Sequence, residues 1–535
     1  MAATSKAGIY SACIALAVIT LISFIPLMSA DYTGWDDGSD VARNPYLSPP
    51  TWEGVGHYWV HSERDLYIPV TYTVWSALAA VAQPETPGGN LNPAVFHWAN
   101  IVVHIAGVWV VFAIVRLLIE DTLAAAVGAA IFAVHPVQVE AVGWISGMKD
   151  LLAGALGLCA IWQYLIHAKT GKRWRYPLAT VLFVLALLSK PSAVAAPVIA
   201  VGLDWILVRR PLRRVMASIA PWLVLALAAA IVGKLSQPAR FHALSVPIVA
   251  RPLVAMDALA FYLYRLIYPV HLGIDYGRSP GFVLWRTPYY AWWTWILPAG
   301  LAVLILVKRR KYPFLAAGGL VFIAGVLPVL GLVRFDFQVA STVADHYLYV
   351  SMLGVALAGA ALFHRLARHR QTIYVAGALM VALGTCSFLQ ATTWTTGMTL
   401  FTNAVLVNDR SWMAYVNLAV LAKDRGDLGT CMADARKAVE AGPDQPLTYT
   451  TLGGAQEALG DWQEAEKTYR LAIERLPDDP VGYANLASLL GDRGRPGEAI
   501  KLYERALELK PDYADAKKGL RMAEEAMAAS QPARR

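Results

Sequence analysis

The sequence predicts an all-α protein in two parts, a polytopic helical membrane domain and an α-solenoid behind it. Of its 535 residues, 57% are hydrophobic and only 16% are charged, whereas soluble proteins carry about 25% charged residues. Long apolar runs recur from Gly8 to about Gln390, and the mean hydropathy is +0.45. Beyond Trp394 the composition turns Ala/Glu/Leu/Arg-rich and acquires a period of 34 residues. These features exclude a single soluble globular domain, a disordered chain and a secreted disulfide scaffold. Cys13, Cys159 and Cys386 lie in apolar runs and Cys431 stands alone, so neither a disulfide framework nor a zinc pattern is available.

A membrane-spanning helix needs about 20 apolar residues. Runs that qualify, or nearly so, cover 8–30, 94–118, 122–134 with its continuation, 150–168, 176–190, 191–208, 215–235, 291–307, 313–333, 347–364 and 372–391. The first is long for a signal-peptide core, and Met28-Ser-Ala30 is a poor cleavage site. Basic clusters lie at 169–175, 209–214, 308–311 and 365–370. All four share one side with Lys6 if residues 253–270, which carry Asp257 and Arg265, lie in the outer interface rather than cross it. Residues 69–82 are a second candidate for that position. The positive-inside rule then gives about 11 spans, a cytoplasmic N-terminus and an outer C-terminus. The net charge of +8 therefore reflects topology; residues 1–408 hold 28 Lys/Arg against 17 Asp/Glu, and residues 409–535 hold 18 against 21. No nucleic-acid partner is expected.

The period places Tyr415, Tyr449 and Tyr483 in register. So are Leu418, Leu452 and Leu486; Gly426, Gly460 and Gly494; Ala438, Ala472 and Ala506; and Pro443, Pro477 and Pro511. Paired helices with Gly in the turn, Ala where helices touch and Pro closing each unit are the tetratricopeptide signature. The domains expected are residues 1–393 in the membrane and 394–535 as repeats. The second divides into a half-repeat at 394–410, three repeats at 411–513 and an amphipathic cap at 514–528. Tyr415, Asn417, Tyr449, Tyr483 and Asn485 are candidate peptide-binding residues on this array, and a packing or dimerisation role is the alternative.

Chemistry is expected on the outer side. Asp36 and Asp37 follow the first span, where adjacent carboxylates are costly unless solvated, paired or used. A carboxylate there can take a proton from a hydroxyl acceptor or help hold a cation against a phosphate; a plain solvated loop is the alternative. His135-Pro136 breaks an apolar helix, tolerated only where the freed backbone lines a cavity or is buried in protein. Glu140, Lys149 and Asp150 add charge at that level, for catalysis or for an internal ion-pair network. Asp345, His346 and Tyr347 open the tenth span. Lys190, Lys234, Arg240, Arg265, Arg278 and Arg334 could each neutralise a lipid-linked phosphate or anchor in the headgroups.

Several segments together resemble the transmembrane and tetratricopeptide repeat-containing glycosyltransferases of the GT-C class, which take sugar from polyprenyl-phosphate carriers. They are Trp35-Asp36-Asp37 with Asn44, Tyr67-Ile-Pro-Val-Thr71, Phe96-His97 with Asn100 and His104, and His135-Pro136 with Glu140. Lys149-Asp150-Leu-Leu, Ser189-Lys190-Pro191, Asp345-His346-Tyr347-Leu-Tyr349 and the repeats complete the set. The resemblance implies a GT-C-type membrane domain and an inverting transferase with Asp36, Asp37 and Glu140 as catalytic candidates. It implies a donor-phosphate or substrate site among Arg43, Asn44, His97, His135, Lys149, Asp150, Lys190, Asp345, His346 and Tyr347, with a divalent metal ion left open as cofactor. The implied partners are a polyprenyl-phosphate-linked sugar, the lipid bilayer and an acceptor protein brought by the repeats. The chain looks most like the bacterial branch, which implies undecaprenyl phosphate, a multi-pass inner-membrane location and a periplasmic active site with periplasmic repeats. One departure stands out: the family often has Arg where this chain has His346. Two rival readings remain, a non-catalytic membrane-anchored scaffold and a transferase acting on lipid or glycan.

Overall fold

The computed structural model describes residues 6–83, 89–236, 246–286 and 293–530; Arg240 lies outside them. Among the described residues there is no strand, only the isolated bridges Leu47–Pro50 and Glu63–Leu66. The chain divides into two compact units, residues 1–400 and 401–535.

In the first unit the helices are α1 (Lys6–Phe24), α2 (Trp52–Val60), α3 (Pro69–Val81), α4 (Pro93–Ile119), α5 (Thr122–Val134), α6 (Val139–Gly143), α7 (Met148–Thr170), α8 (Arg175–Ser189), α9 (Ala196–Leu203), α10 (Leu212–Ser236) and α11 (Arg251–Ile267). They continue with α12 (Ile296–Lys308), α13 (Pro313–Val326), α14 (Met352–Leu366) and α15 (Arg370–Thr392). Each apolar run read from the sequence holds a helix. Among the described residues six helical stretches are long and apolar enough to cross a membrane, and a seventh results if the bent pair Thr122–Val134 and Pro136–Gly143 is one span. The helices at 175–189, 296–308, 313–329 and 352–366 are apolar but shorter. Segments 69–82 and 253–270 are helical too, as α3 and α11.

Small residues let these helices approach closely, the packing mode of helices in lipid. A Cβ on Gly128 of α5 would lie 2.4 Å from the carbonyl oxygen of Ala356 on α14. One on Gly154 of α7 would lie 2.4 Å from the Tyr349 ring. That second contact seats the segment 345–349 against α7.

The expected break at His135-Pro136 bends the chain by 53°, because Pro has no N–H to continue the ladder. Short helical turns carry the backbone from Pro136 to Gly147, and every residue from 135 to 150 is buried. Side chains supply the missing hydrogen bonds. The Asn100 amide donates to the carbonyls of Val142 (3.1 Å) and Trp144 (2.7 Å). His135 Nδ1 accepts from the Val137 N–H (3.4 Å), and the Gln138 amide donates to the Phe132 carbonyl (3.3 Å). A buried helix break is stable only when its orphaned groups are matched in this way.

Among its described residues the second unit contains the end of a helix at Gly397–Val407, then three helix pairs, 412–424 with 428–441, 446–458 with 462–475, and 480–492 with 496–509, and a helix at 514–530. Gly426, Gly460 and Gly494 adopt φ of +78°, +80° and +73° at the tight turn of each pair, where a side chain would be strained. Ala438, Ala472 and Ala506 are buried between helices. Tyr449 is only 2% exposed, and its hydroxyl donates to the Pro443 carbonyl at 3.0 Å; Tyr483 repeats the bond to Pro477 at 3.1 Å. These tyrosines tie each repeat to the loop before it. Of the other candidate peptide contacts, Tyr415 is buried, Asn417 donates to the Met413 carbonyl and Asn485 to Thr450 Oγ1.

Candidate active site

The loop after α1 carries two adjacent carboxylates with opposite surroundings. Asp37 is fully buried and accepts from Thr33 Oγ1 (2.7 Å), the Thr33 N–H (3.3 Å) and the Ser146 N–H (3.0 Å). It clamps the loop onto the broken helix. Burial pushes its carboxyl above the ordinary range, opposed by those hydrogen bonds. The Asp36 side chain is 37% exposed, and its cationic neighbours are Arg64 at 3.5 Å and Lys149 at 4.0 Å.

Asp40, one helical turn beyond Asp36, completes this cluster. Its carboxylate lies 3.0 Å from Arg64 and 3.7 Å from Lys149. Arg64 reaches both carboxylates from a tight turn in which Arg64 and Asp65 have φ of +48° and +65°. Lys149 is buried over the Trp144 ring, 4.5 Å from its centre. Among the described residues its ammonium makes no hydrogen bond, only the two longer ion pairs. A buried ammonium with donors to spare is the kind of group that a phosphate or hydroxyl oxygen satisfies.

A second cluster meets the first through Trp144, whose ring centre is 5.5 Å from that of His346. Glu140 uses both carboxylate oxygens here. Oε2 accepts from the backbone N–H groups of Asp345 (2.7 Å) and His346 (3.2 Å), and Oε1 bonds His346 Nδ1 (2.7 Å). Asp345 accepts from the Tyr276 hydroxyl at 2.7 Å through Oδ2, while Oδ1 is buried and unpartnered among the described residues. Burial, with the Glu140 charge beside it, holds the Asp345 carboxyl well above the usual range. Lys190 grips Asp150 through both oxygens, at 2.6 and 2.7 Å.

Asp150, His346 and Tyr347, with small residues of α7 and of segment 192–196, line a cavity of about 40 Å³. Among the described residues no three His, Cys, Asp or Glu side chains converge on a point that could hold a metal ion.

The structure thus brings together Asp36, Lys149, Asp150, Lys190, Glu140, Asp345, His346 and Tyr347. It does not bring in the other candidates. Arg43 is turned to the Gly38 carbonyl, and the Asn44 side chain bonds Asp40, Tyr46 and Tyr58 within the loop. His97 is buried against the Asp31 carbonyl, and His135 contacts the Leu266 carbonyl. Sequence reasoning missed Asp40 and Arg64. The four-residue step from Asp36 to Asp40, which shares one face of a helical turn, could have found the first. Nothing local marks Arg64.

Residues 89–235 match the family model for dolichyl-phosphate-mannose-protein mannosyltransferase, and residues 448–481 and 482–513 match tetratricopeptide repeat models. The first match includes Glu140, Lys149, Asp150 and Lys190 but neither the Asp36 loop nor Asp345 and His346. Protein O-mannosyl-transferase F38B6.6 of Caenorhabditis elegans is 23% identical over 433 residues, 76% of this chain and 59% of that protein. Protein O-mannosyl-transferase Tmtc1 of Drosophila melanogaster is 32% identical over 109 residues, 20% of this chain and 13% of that protein. The chain therefore spans less than two thirds of these relatives. Among solved structures, the first tetratricopeptide domain of human RPAP3 is 24% identical and covers 22% of this chain and 93% of its own, with a TM-score of 0.21. Similarity to a mannosyltransferase family over residues 89–235, together with tetratricopeptide repeat matches over 448–513, fits the transmembrane and tetratricopeptide repeat-containing glycosyltransferases.

Proposed function

We propose that this protein moves a sugar from a polyprenyl-phosphate-linked donor to a Ser or Thr hydroxyl of an extracytoplasmic protein. The observation that carries the reading is a partly exposed carboxylate, Asp36, 4.0 Å from a buried lysine that makes no hydrogen bond among the described residues. Asp36 is the base. The acceptor oxygen attacks the anomeric carbon, its proton passes to Asp36, and the bond from that carbon to the phosphate oxygen breaks with its electron pair staying on phosphate. A hydroxyl is a poor nucleophile without such a base in hydrogen-bond reach. Lys149 meets the charge that grows on the leaving phosphate, an electrostatic task suited to a buried cation. Asp40 and Arg64 hold Lys149 and Asp36 in place. The lipid chain lies among the small residues of α7.

The rest of the reading concerns organisation. Residues 1–393 form the transferase domain with about 11 spans, the N-terminus is cytoplasmic, and residues 394–535 select the acceptor in the periplasm of a bacterial cell. The names of the mannosyltransferase family and of the two O-mannosyl-transferases support a protein acceptor and a lipid-phosphate donor. Mass spectrometry of extracytoplasmic proteins from a deletion strain, with and without the gene restored, is the test. Hexose lost from Ser/Thr sites and regained is the expected result. A change confined to lipids or glycans would favour the lipid acceptor, and no change at all would leave a scaffold.

A further inference from the structure

Two turns of the first unit gather positive charge without a protein counterion. Residues 308–311, at the turn between α12 and α13, are all basic, and Arg365, Arg368 and Arg370 stand at the turn between α14 and α15. Helix α13 packs on α14, and the two turns meet at Tyr312. The Lys311 ammonium lies 5.5 Å and the Arg365 guanidinium 5.0 Å from the centre of its ring. Residues 276–335 and 346–408 contain no Asp or Glu. All seven cations are exposed, and among the described residues none of them has an ion pair. Asp121 comes near this edge but bonds His364 at 2.7 Å and caps α5.

Basic residues at the ends of spans are ordinary headgroup anchors, so charge alone decides nothing. The other two basic clusters are partly neutralised from within. Lys169 pairs with Glu120 at 2.9 Å, and Arg210 grips Asp204 through Nε at 3.0 Å. The turns at Tyr312 instead hold like charges around one ring, and an anion between them offsets their repulsion. The exposed side chains of Leu306, Val307, Leu362 and Leu366 continue the same surface. A soluble polyanion would leave them in water, whereas a phospholipid covers them with its chains while its phosphate meets the cations.

We propose that residues 308–312 and 365–370 form a binding site for an anionic phospholipid, with its phosphate between Lys311 and Arg365. On the topology proposed above this is the cytoplasmic leaflet, whose negative surface attracts such clusters. The 15 residues of α14 set the patch about 20 Å from segment 345–348. The site therefore lies apart from the transferase reading and goes beyond it.

The test titrates the full-length protein, in a neutral detergent, with cardiolipin and with phosphatidylcholine as the zwitterionic control. Bound lipid is counted by native mass spectrometry. The wild type should retain cardiolipin well above phosphatidylcholine. Each cation removed should weaken cardiolipin by about fivefold, so Lys311→Gln with Arg365→Gln should lose about twentyfold and leave phosphatidylcholine unchanged. Lys311→Arg with Arg365→Lys keeps the charge and should bind as the wild type does, which separates lost charge from a damaged fold. Lys172→Gln with Arg173→Gln, in the cluster at 169–175, should also bind as the wild type does. An equal loss in that variant would mean a diffuse field and overturn the site, as would a wild type with no preference for cardiolipin. Displacement of cardiolipin by soluble polyglutamate would overturn it in favour of an acidic polypeptide. Sugar transfer is not read, so failure here leaves the transferase reading standing.

Discussion

The loop after the first helix and the broken helix at 135–150 both present carboxylates, yet they treat them oppositely. In the broken helix and its partner segment, Glu140 accepts three hydrogen bonds and Asp150 is gripped by Lys190 at 2.6 and 2.7 Å. Asp37, buried where the loop meets the break, belongs with them because three donors point at it. Asp36, its neighbour in sequence, has 37% of its side chain exposed and cations no nearer than 3.5 Å. A carboxylate saturated by backbone N–H groups is committed to the fold, because moving it orphans those groups. One held only by longer ion pairs can exchange them for a substrate at little cost. Proximity in sequence says nothing about which is which.

The strongest way to break this comparison is to remove each charge while keeping its shape. Asp36→Asn should lower transfer by about 10²–10⁴-fold, the usual worth of a general base, with an unchanged melting temperature. Near-normal transfer by this variant would remove Asp36 from the chemistry. Asp37→Ala should act the other way round. It strands the Ser146 and Thr33 donors, at roughly 2–3 kcal/mol, so the purified protein should melt earlier and accumulate less. Normal stability with lost activity would place Asp37 among the reacting groups instead.

Asp345 sharpens the comparison by pH. Its carboxyl is held well above the usual range by burial and by the Glu140 charge. A raised carboxyl stabilises the fold fully only below the unfolded value, about pH 3.9, and that stability drains away as pH climbs toward the folded value. Asp345→Asn is neutral throughout, so its melting temperature should gain on the wild type as pH rises above about 4. A gap that stays flat across this range would mean that Asp345 is already ionised in the fold.

Much of the fold is legible in the sequence, because length, hydropathy and an exact period all act locally. The apolar runs hold helices, Pro136 marks the break, and Gly426, Gly460 and Gly494 fall at the turns. The site is legible only in part. Charge at the ends of spans points to Asp36, Glu140, Lys149 and Asp345, since such groups are costly near lipid. Their roles depend on partners far along the chain. Glu140 meets residues 345 and 346 about two hundred positions away, and Asp37 meets Ser146. Arg64 enters through a turn whose left-handed backbone has no Gly or Asn to announce it. His135 and Asn100 are polar in an apolar setting for a reason that only the bend supplies, as caps for its loose backbone groups.

The same distinction between committed and available groups applies to the repeats, where the smallest effect is expected. An aromatic residue recurring at a fixed register can face a peptide or close a repeat. Tyr449 is buried, and its hydroxyl bonds the Pro443 carbonyl at 3.0 Å. Tyr449→Phe keeps the ring and deletes that bond, so the cost should be about 1 kcal/mol, with the carbonyl left to find water. Urea unfolding of the full-length protein, followed by a probe confined to the repeats, reads this directly. Acceptor modification should be unchanged, since no surface atom has been altered. Undiminished stability combined with poorer acceptor use would instead put the hydroxyl in the groove, and Tyr449 would join Asp36 among the groups kept free for a substrate.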